Sequence, residues 1–391
     1  MTTPIYLDHN ATTPVDPRVL EGMLPYFSER FGNAASRTHA FGWEARAAVE
    51  EAREEIASLI GARPREIVFT SGATEANNLA ILGGARTGAE GGERHVITMV
   101  TEHKAVLEPV EHLGTSGIAE TSMLPVAADG HVDVSAVEEA LRPSTCLVSI
   151  MAANNEIGVL APLAEIGAVT RERGVLLHTD AAQAIGKIPF HVDELAVDLA
   201  SISAHKFYGP KGVGCLFVRG REPRVRLGAR SYGGGHERGL RPGTLDVPAI
   251  VGMRLAMRIA VEEREEESAR LAALRERLLG IVREGVPDVV VHGDLERRLP
   301  GNLNLGFPRI PGESLVSELR EIAVSTGSAC TSADPTPSHV LAALGVEPEL
   351  AHASIRIGIG RGNTPEQIDL AGRSLVGAVL RLRDLYPPEV A

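Results

Sequence analysis

Helix-period stretches alternate with short apolar runs from about residue 43 to residue 218. In residues 43–60, Ala48 and Ile56 fall on the apolar side of a helical pattern, Glu and Arg residues fall on the other side, and Gly61 ends the stretch. The apolar runs that predict strands are Ile67–Thr70, His95–Thr98, Thr121–Leu124, Cys146–Ile150, Val175–His178, Leu199–Ile202 and Val213–Val218. This alternation predicts an α/β fold in which a mostly parallel sheet is covered by helices on both faces.

The pattern changes after residue 250. A long charged helix is predicted over residues 250–283, and a smaller α+β body is predicted to begin near Val286. Its predicted elements are strands at 302–305 and 353–358 and helices at 313–319, 337–344 and 365–385. A chain of 391 residues is long enough for two cores. We therefore predict a large domain of residues 15–260 and a small domain of residues 1–14 and 261–391.

Charge and composition exclude several kinds of partner. The formal net charge is -12, whereas nucleic acids and anionic membranes are bound by basic surfaces. The first residues contain neither a basic segment nor an apolar segment of the kind found in secretory leaders, and no window is apolar enough for a membrane span. We expect a cytoplasmic protein with no nucleic-acid or membrane partner.

Two residues at the ends of apolar runs predict a cofactor site. Lys206 is one of only four lysines and lies in a polar turn, where its amine is a natural Schiff-base candidate. Asp180 ends another run, and a carboxylate there keeps a pyridine nitrogen protonated, so that the ring accepts electrons. Either residue alone is as well explained by a helix cap or a solvated loop lysine. Together they are the signature of an enzyme that uses pyridoxal phosphate.

Other candidates follow strands of the same predicted sheet, where ligands of parallel sheets bind. Gly72, Ala73 and Thr74 form a turn before a helix, which favours phosphate but is also typical of an ordinary cap. The remaining candidates are Ser203 and His205 for the phosphate, His103 for stacking and proton transfer, and Asn155 and Gln183 for neutral hydrogen bonds.

Two arginines, a threonine and a cysteine add four more candidates. Arg356 lies on a short apolar strand, where an inward arginine needs an anion such as a substrate carboxylate. Arg241 and Thr244, in a glycine-rich stretch, are candidates for a second anion contact. Cys330 is the only one of three cysteines in a stretch of small polar residues, where a thiol is exposed and reactive unless it stands there by chance. The histidines are scattered and no Cys-x-x-Cys occurs, so we predict no metal site.

Motifs along nearly the whole chain resemble the cysteine desulfurases of the NifS and IscS type, in the first group of the class V aminotransferase family. In chain order they are YLDHNATTP (6–14), FGNAAS (31–36), FTSGATE (69–75), NNEIG (154–158), HTDAAQ (178–183), SAHKFYGPKG (203–212), GGGHERG (233–239) and SACTS (328–332). The long polar segment around Cys330 resembles the first group rather than the second, SufS-like group. One departure is Ala152, where some relatives have histidine.

The resemblance implies a pyridoxal-phosphate enzyme of fold type I, similar to aspartate aminotransferase, that works as a homodimer. It implies that Lys206 binds the cofactor and moves the Cα proton of L-cysteine, that His103 stacks on the ring and carries a proton, and that Cys330 takes the sulfur as a persulfide while alanine leaves. Thr244 is then expected to bind the cofactor phosphate of the other subunit.

The same resemblance implies a sulfur acceptor, either an iron-sulfur scaffold protein or a tRNA-thiolation enzyme, and it allows Cys330 to be a transient iron-sulfur ligand. The alternatives are a selenocysteine lyase, another class V aminotransferase, and a non-catalytic protein that retains the fold.

Overall fold

The computed structural model describes residues 4–87, 92–326 and 337–387. The strands in this part of the chain are β1 Ile5–Tyr6, β2 Ile67–Thr70, β3 His95–Met99, β4 Glu120–Leu124, β5 Thr145–Ser149, β6 Leu176–Asp180, β7 Leu199–Ser203, β8 Gly214–Val218, β9 Val290–Val291, β10 Asn302–Gly306, β11 Ile322–Ala323 and β12 Ser354–Gly358. Each strand predicted from the sequence is present, with bounds shifted by one or two residues.

The main sheet has the strand order β2-β8-β7-β6-β5-β3-β4 within the described residues. Strands β4, β3, β5, β6 and β7 are parallel, and β8 pairs antiparallel with both β7 and β2. The prediction of a mostly parallel sheet is therefore confirmed. Its parallel strands all end at one edge, which is where the predicted site residues follow them.

The described helices are α1 Pro17–Met23, α2 Pro25–Ser28, α3 Ala40–Leu59, α4 Ala73–Thr87, α5 Lys104–Thr115, α6 Val134–Ala140, α7 Leu163–Glu172, α8 Val247–Glu262, α9 Arg264–Gly285, α10 Gly312–Glu318, α11 His339–Ala343, α12 Pro348–His352 and α13 Pro365–Leu385. Alternate strand residues face two different cores: Ile97 packs in the core that contains α3 and α8, and Val96 in the core that contains α4 and α5. Helices thus cover both faces, as predicted.

One helix prediction is wrong. The single helix expected over 250–283 is two helices, α8 and α9, which meet at Glu263 with φ −89° and ψ 0°. The carboxylate of Glu263 binds the guanidinium of Arg18 at 2.6 Å and lies 3.5 Å from that of Arg361. These contacts hold the chain at a bend that the helical periodicity of the sequence does not reveal.

The C-terminal part has a separate core. Strands β12, β10 and β9 form an antiparallel sheet, and β1 pairs parallel with β11. Leu7 packs there with apolar residues of α9, β10, β12 and α13. The predicted division at residues 15–260 stays a prediction, although the distribution of the cores is compatible with it. None of the helices in the described ranges is both long and apolar enough to span a membrane.

Candidate functional site

Lys206 lies at the carboxyl edge of the main sheet, in a short 3-10 turn that follows β7. Its Nζ donates to the backbone carbonyls of Asn10 at 2.7 Å and Ala11 at 2.8 Å. These contacts place the amine between the end of β7 and the segment that follows β1.

Asp180 is the last residue of β6, the neighbour of β7, and is buried. One carboxylate oxygen accepts from Asn77 Nδ2 at 2.7 Å, and the other accepts from the backbone N–H of Ala182 at 2.9 Å. A carboxylate can accept about four hydrogen bonds. Asp180 is thus rigidly held by α4 and by its own turn, and it retains acceptor capacity for a ligand.

The turn before α4 forms an open cradle. Gly72 has φ +149°, a backbone conformation that favours glycine, and a Cβ at this residue would lie 3.5 Å from Ser203 Oγ. A Cβ on Gly214 would come within 2.7 Å of the Gly72 Cα. The close approach of β8 to the turn therefore requires glycine at residue 214. Ala73 begins α4, and Thr74 is exposed. The start of α4 and the Ser203 hydroxyl together offer the donors that phosphate binds.

Two histidines of the site are neutral at pH 7. Burial, helped by the charge of Lys206, lowers the pKa of His205 to about 4, and its Nδ1 lies 3.1 Å from Thr12 Oγ1. Burial also lowers the pKa of His103, against the opposing effect of Asp180. His103 caps α5, where Nδ1 accepts from the N–H of Ala105 at 3.0 Å, so the proton of the neutral ring is on Nε2.

Asn155 is placed by the residue before it. Asn154 is buried, its Nδ2 donates to the Thr101 carbonyl at 2.9 Å, and its Oδ1 accepts from the N–H groups of Glu156 and Ile157. Asn154 is therefore structural, and it holds the turn from which Asn155 is presented. Ala152 is also buried, and its N–H donates to the Asp180 carbonyl at 3.0 Å.

Arg356 is buried in β12 and already has an anionic partner in the chain. Its Nη2 donates to Asp8 Oδ1 at 2.8 Å, and its Nη1 lies 3.4 Å from the Asn155 carbonyl. Within the described ranges its buried Nε has no hydrogen-bond partner. The expected need for an anion is thus met partly by Asp8, and one face of the guanidinium still lacks a partner in the described residues.

The glycine-rich segment reaches the cradle from another direction. Arg241 Nε donates to Glu75 in the first turn of α4 at 3.0 Å, so this arginine has a carboxylate partner within the chain. Thr244 is exposed. Its predicted contact with the other subunit stays a prediction.

The two cysteines that the structure describes are buried in strands, as predicted, and the predicted contrast with Cys330 stays a prediction. Cys146 in β5 and Cys215 in β8 are buried, and burial raises the pKa of both thiols, that of Cys215 to about 12. Cys330 lies outside the described residues. Among the side chains that the structure describes, no group of three or more His, Cys, Asp or Glu residues is arranged to bind a metal ion.

These residues fit pyridoxal phosphate. Lys206 supplies the amine, buried Asp180 faces the site with acceptor capacity left, and the Gly72 turn with Ser203 leaves a donor-lined space that a Cβ at residue 72 would enter. The sheet topology brings all of them to one edge, because Asp180 and Ser203 end neighbouring strands.

The segment after β1 contributes contacts to the site that the sequence did not predict. Asp8 holds Arg356, and Asn10 accepts from Lys206 and contacts Gln183. Two other missed residues are Asn77, which holds Asp180, and Lys187, which donates to Gln183. The polar run directly after the short apolar run Ile5–Leu7 could have indicated that this segment belongs to the site. The contact of the Asn10 backbone carbonyl with Lys206 could not be predicted, because backbone groups do not appear in side-chain patterns.

Comparisons with known proteins show the family of the chain. Residues 5–370 match the family model described as aminotransferase class-V. The chain is 56% identical over 387 residues to "Cysteine desulfurase IscS" of Anaeromyxobacter dehalogenans (strain 2CP-C), with 99% of this chain and 95% of the relative covered.

Solved structures of similar proteins have the same fold. A NifS-like protein superposes with a TM-score of 0.90 at 40% identity, and 97% of this chain and all of that chain are covered. A structure described as SspA in complex with cysteine superposes with a TM-score of 0.81 at 38% identity, and 92% of this chain and 99% of that chain are covered.

Proposed function

The chain belongs to the class V aminotransferases and, within them, to the cysteine desulfurases of the NifS and IscS type, and on that premise we propose that it converts L-cysteine to L-alanine and takes up the sulfur on Cys330. The observation that carries this proposal is the pairing of Lys206 and Asp180 at adjacent strand ends beside the cradle at Gly72. When bound, pyridoxal phosphate supplies an electron sink for the bonds that break at the substrate.

Residues around the cofactor hold its two ends. Ala73 and Thr74 at the start of α4, with Ser203 and His205, would bind the phosphate. Asp180 would keep the ring nitrogen protonated, since Asn77 and the Ala182 N–H fix its carboxylate without using all its acceptor positions.

Lys206 and His103 move protons in this proposal. Lys206 would carry the covalent link to the cofactor and then transfer the Cα proton of cysteine as a free amine. A neutral His103 has its proton on Nε2, because Nδ1 accepts from Ala105. In the proposed position, His103 stacks on the cofactor ring. Its Nε2 proton is then available for transfer to the substrate carbon after the Cβ–S bond breaks.

Arg356 is the proposed anchor for the substrate carboxylate, together with Asn155. The support is the guanidinium itself: Asp8 occupies Nη2, whereas the buried Nε is without a partner in the described residues. A substrate carboxylate that reaches the guanidinium beside Asn155 would add a second counter-ion to this buried charge.

The sulfur step uses Cys330. Its thiolate attacks the sulfur of the substrate, an S–S bond forms, and the Cβ–S bond of the substrate breaks. The electron pair released to the substrate carbon is protonated, so alanine leaves and Cys330 remains as a persulfide. Cys146 and Cys215 are poor candidates, because burial raises the pKa of both thiols.

We propose a homodimer as the working unit. The surface of the large domain exposes large apolar side chains, among them Phe27 at 61%, Phe31 at 62% and Trp43 at 57%. Exposed apolar patches of this kind are typical of protein interfaces. The exposed Thr244 is then available for the phosphate of the partner's cofactor.

The persulfide requires an acceptor. We propose that Cys330 passes sulfur to an iron-sulfur scaffold protein, or to an enzyme of tRNA thiolation, in the cytoplasm. The net charge of -12 supports a protein acceptor over direct binding of nucleic acid.

The test is an assay of alanine and sulfide from L-cysteine with reductant and no keto acid. We expect equal amounts of both products from the wild-type protein and neither from Cys330→Ser, which should still bind the cofactor. Alanine that appears only when a keto acid is added would indicate an aminotransferase instead. A preference for selenocysteine over cysteine would indicate a selenocysteine lyase.

A further inference from the structure

A second lysine contacts the site from the side of β6. Lys187 follows Asp180 on the same turn, after Gly186, whose φ is +73°. A Cβ on Gly186 would lie 2.4 Å from the Cβ of Ala260 in α8, so the turn can pack against α8 only with glycine there. This packing fixes the point from which the half-buried Lys187 side chain extends.

The amide of Gln183 is contacted by both Lys187 and Asn10. Lys187 Nζ donates to Gln183 Oε1 at 2.8 Å, and in its charged form the amine can only donate, so the charged lysine requires the amide oxygen on its side. Asn10 Nδ2 approaches the same oxygen at 3.3 Å. The amide nitrogen is therefore turned to the other side, where it donates to the Asn10 carbonyl at 2.8 Å.

That carbonyl is also the acceptor for Lys206 Nζ, at 2.7 Å. A continuous chain of hydrogen bonds thus connects Lys187 through Gln183 and Asn10 to the cofactor lysine. An amide nitrogen on this side offers N–H groups to an anionic ring oxygen or a substrate carboxylate, whereas a flipped amide would present an oxygen and repel either anion.

We propose that Lys187 is a positioning residue that holds Gln183 with its N–H groups directed toward Lys206 and the bound cofactor. The role of Gln183 as a cofactor contact rests on the proposed function. The contact between Lys187 and Gln183 does not, since both residues belong to this chain.

The surroundings of Lys187 fit this role. Lys187 and Lys206 line one cavity of about 30 Å³ together with His9, Tyr208 and Glu267. Burial and the charge of Lys206 lower the pKa of Lys187 to about 7, while Glu267 acts in the opposite direction. The amine of this half-buried lysine thus has a neutral amide as a hydrogen-bond partner.

The test is a double-mutant cycle with Lys187→Met and Gln183→Leu. Cofactor-free protein is titrated with pyridoxal phosphate while the visible absorbance is followed. We expect Lys187→Met to weaken binding by about 5- to 10-fold when Gln183 is present and by less than about twofold in the Gln183→Leu background. Lys187→Arg should bind within about twofold of wild type, because a guanidinium also only donates. Equal weakening in both backgrounds, or none in either, would overturn the proposal.

Two controls separate this proposal from the function. Lys211→Met removes an exposed lysine charge near His205 and should leave cofactor affinity within about twofold of wild type. The same four proteins of the cycle are also unfolded in urea without cofactor, where we expect their folding equilibrium constants to deviate from additivity by at least about fivefold. If wild type binds no cofactor, the proposed function fails, and the unfolding cycle decides the proposal on Lys187: additive effects overturn it.

Discussion

The site is built from two regions that differ in how their polar groups are used. At the carboxyl edge of the main sheet, Asp180, Ser203 and His103 end or follow strands and keep hydrogen-bonding capacity toward the space between them. In the segment after β1, Asp8 and Asn10 contribute a counter-ion and backbone or amide groups that are already paired with Arg356, Gln183 and Lys206.

This difference predicts which substitutions should change the chemistry, which should change ligand binding and which should change stability. Groups at the sheet edge are held by the fold and remain open to ligand, so their loss should remove chemistry. Groups of the segment after β1 form hydrogen bonds that orient other side chains of the site. Substitution of the side chains that they orient should therefore change the binding of ligands. Polar groups inside the strands, such as His178, serve neither purpose and should affect stability alone.

The largest effect is expected at the sheet edge. Lys206→Ala should remove the covalent link to the cofactor and lower turnover by at least about 10²- to 10⁴-fold, the range for loss of a positioned acid or base. Borohydride reduction of wild type followed by peptide mapping should place the label on Lys206. Label on Lys104, Lys187 or Lys211 would show that the sheet edge does not supply the amine.

A middle-sized effect on binding is expected where the two regions meet. Arg356→Ala should weaken L-cysteine binding by about 1.5 to 3 kcal/mol, the range for a hydrogen bond to a charged group, with cofactor content near wild type. Arg356→Lys should recover little, because a point charge does not reproduce the fork. The measurement is a spectral titration of loaded protein with cysteine. Unchanged affinity would assign Arg356 to its ion pair with Asp8 alone.

The smallest effect on cofactor binding and turnover is expected inside the strands, where the change is in stability. His178 is buried between Ser149 and Ser201, and burial lowers its pKa from 6.5 to about 4. As the pH falls, His178 therefore binds a proton in the unfolded state before it does so in the folded state. The free energy of unfolding is highest above pH 6.5 and decreases as the pH falls toward 4. This loss amounts to at most about 3 kcal/mol.

His178→Gln should reduce that pH dependence in urea unfolding measured between pH 6.5 and 4. Cys215→Ala is the matched control, a buried side chain of the same sheet that does not titrate in this range, since burial raises its pKa to about 12. It should lower stability by packing loss without changing the slope. If His178→Gln showed the same pH dependence of stability as the wild-type protein, His178 would not be the group that titrates.

Most of the fold could be predicted from the sequence. The central parallel strands β3, β5 and β7 are fully buried, whereas the edge strand β4 is partly exposed. Apolar residues recur at helical spacing in the segments between the strands, so local pattern and topology agree. The break between α8 and α9 could not be predicted, because it depends on Glu263 meeting Arg18 and Arg361 from distant parts of the chain.

The site was predictable to the extent that it follows strands. Asp180 and Lys206 stand at strand ends in the sequence and in space, since neighbouring parallel strands share an edge. The roles of Asn10 and Lys187 were not predictable, because they arise from contacts that span 196 residues in one case and depend on the orientation of an amide in the other. The counter-ion Asp8 lies 348 residues from Arg356.

Transfer of sulfur from L-cysteine to Cys330 can be observed by mass spectrometry of the protein. After incubation with L-cysteine without reductant, we predict that the peptide containing Cys330 gains the mass of one sulfur atom and that alanine is released in equal amount. Reductant should remove the added mass. Release of alanine with no added sulfur on the protein, or sulfur found on Cys146 or Cys215 instead, would contradict the account.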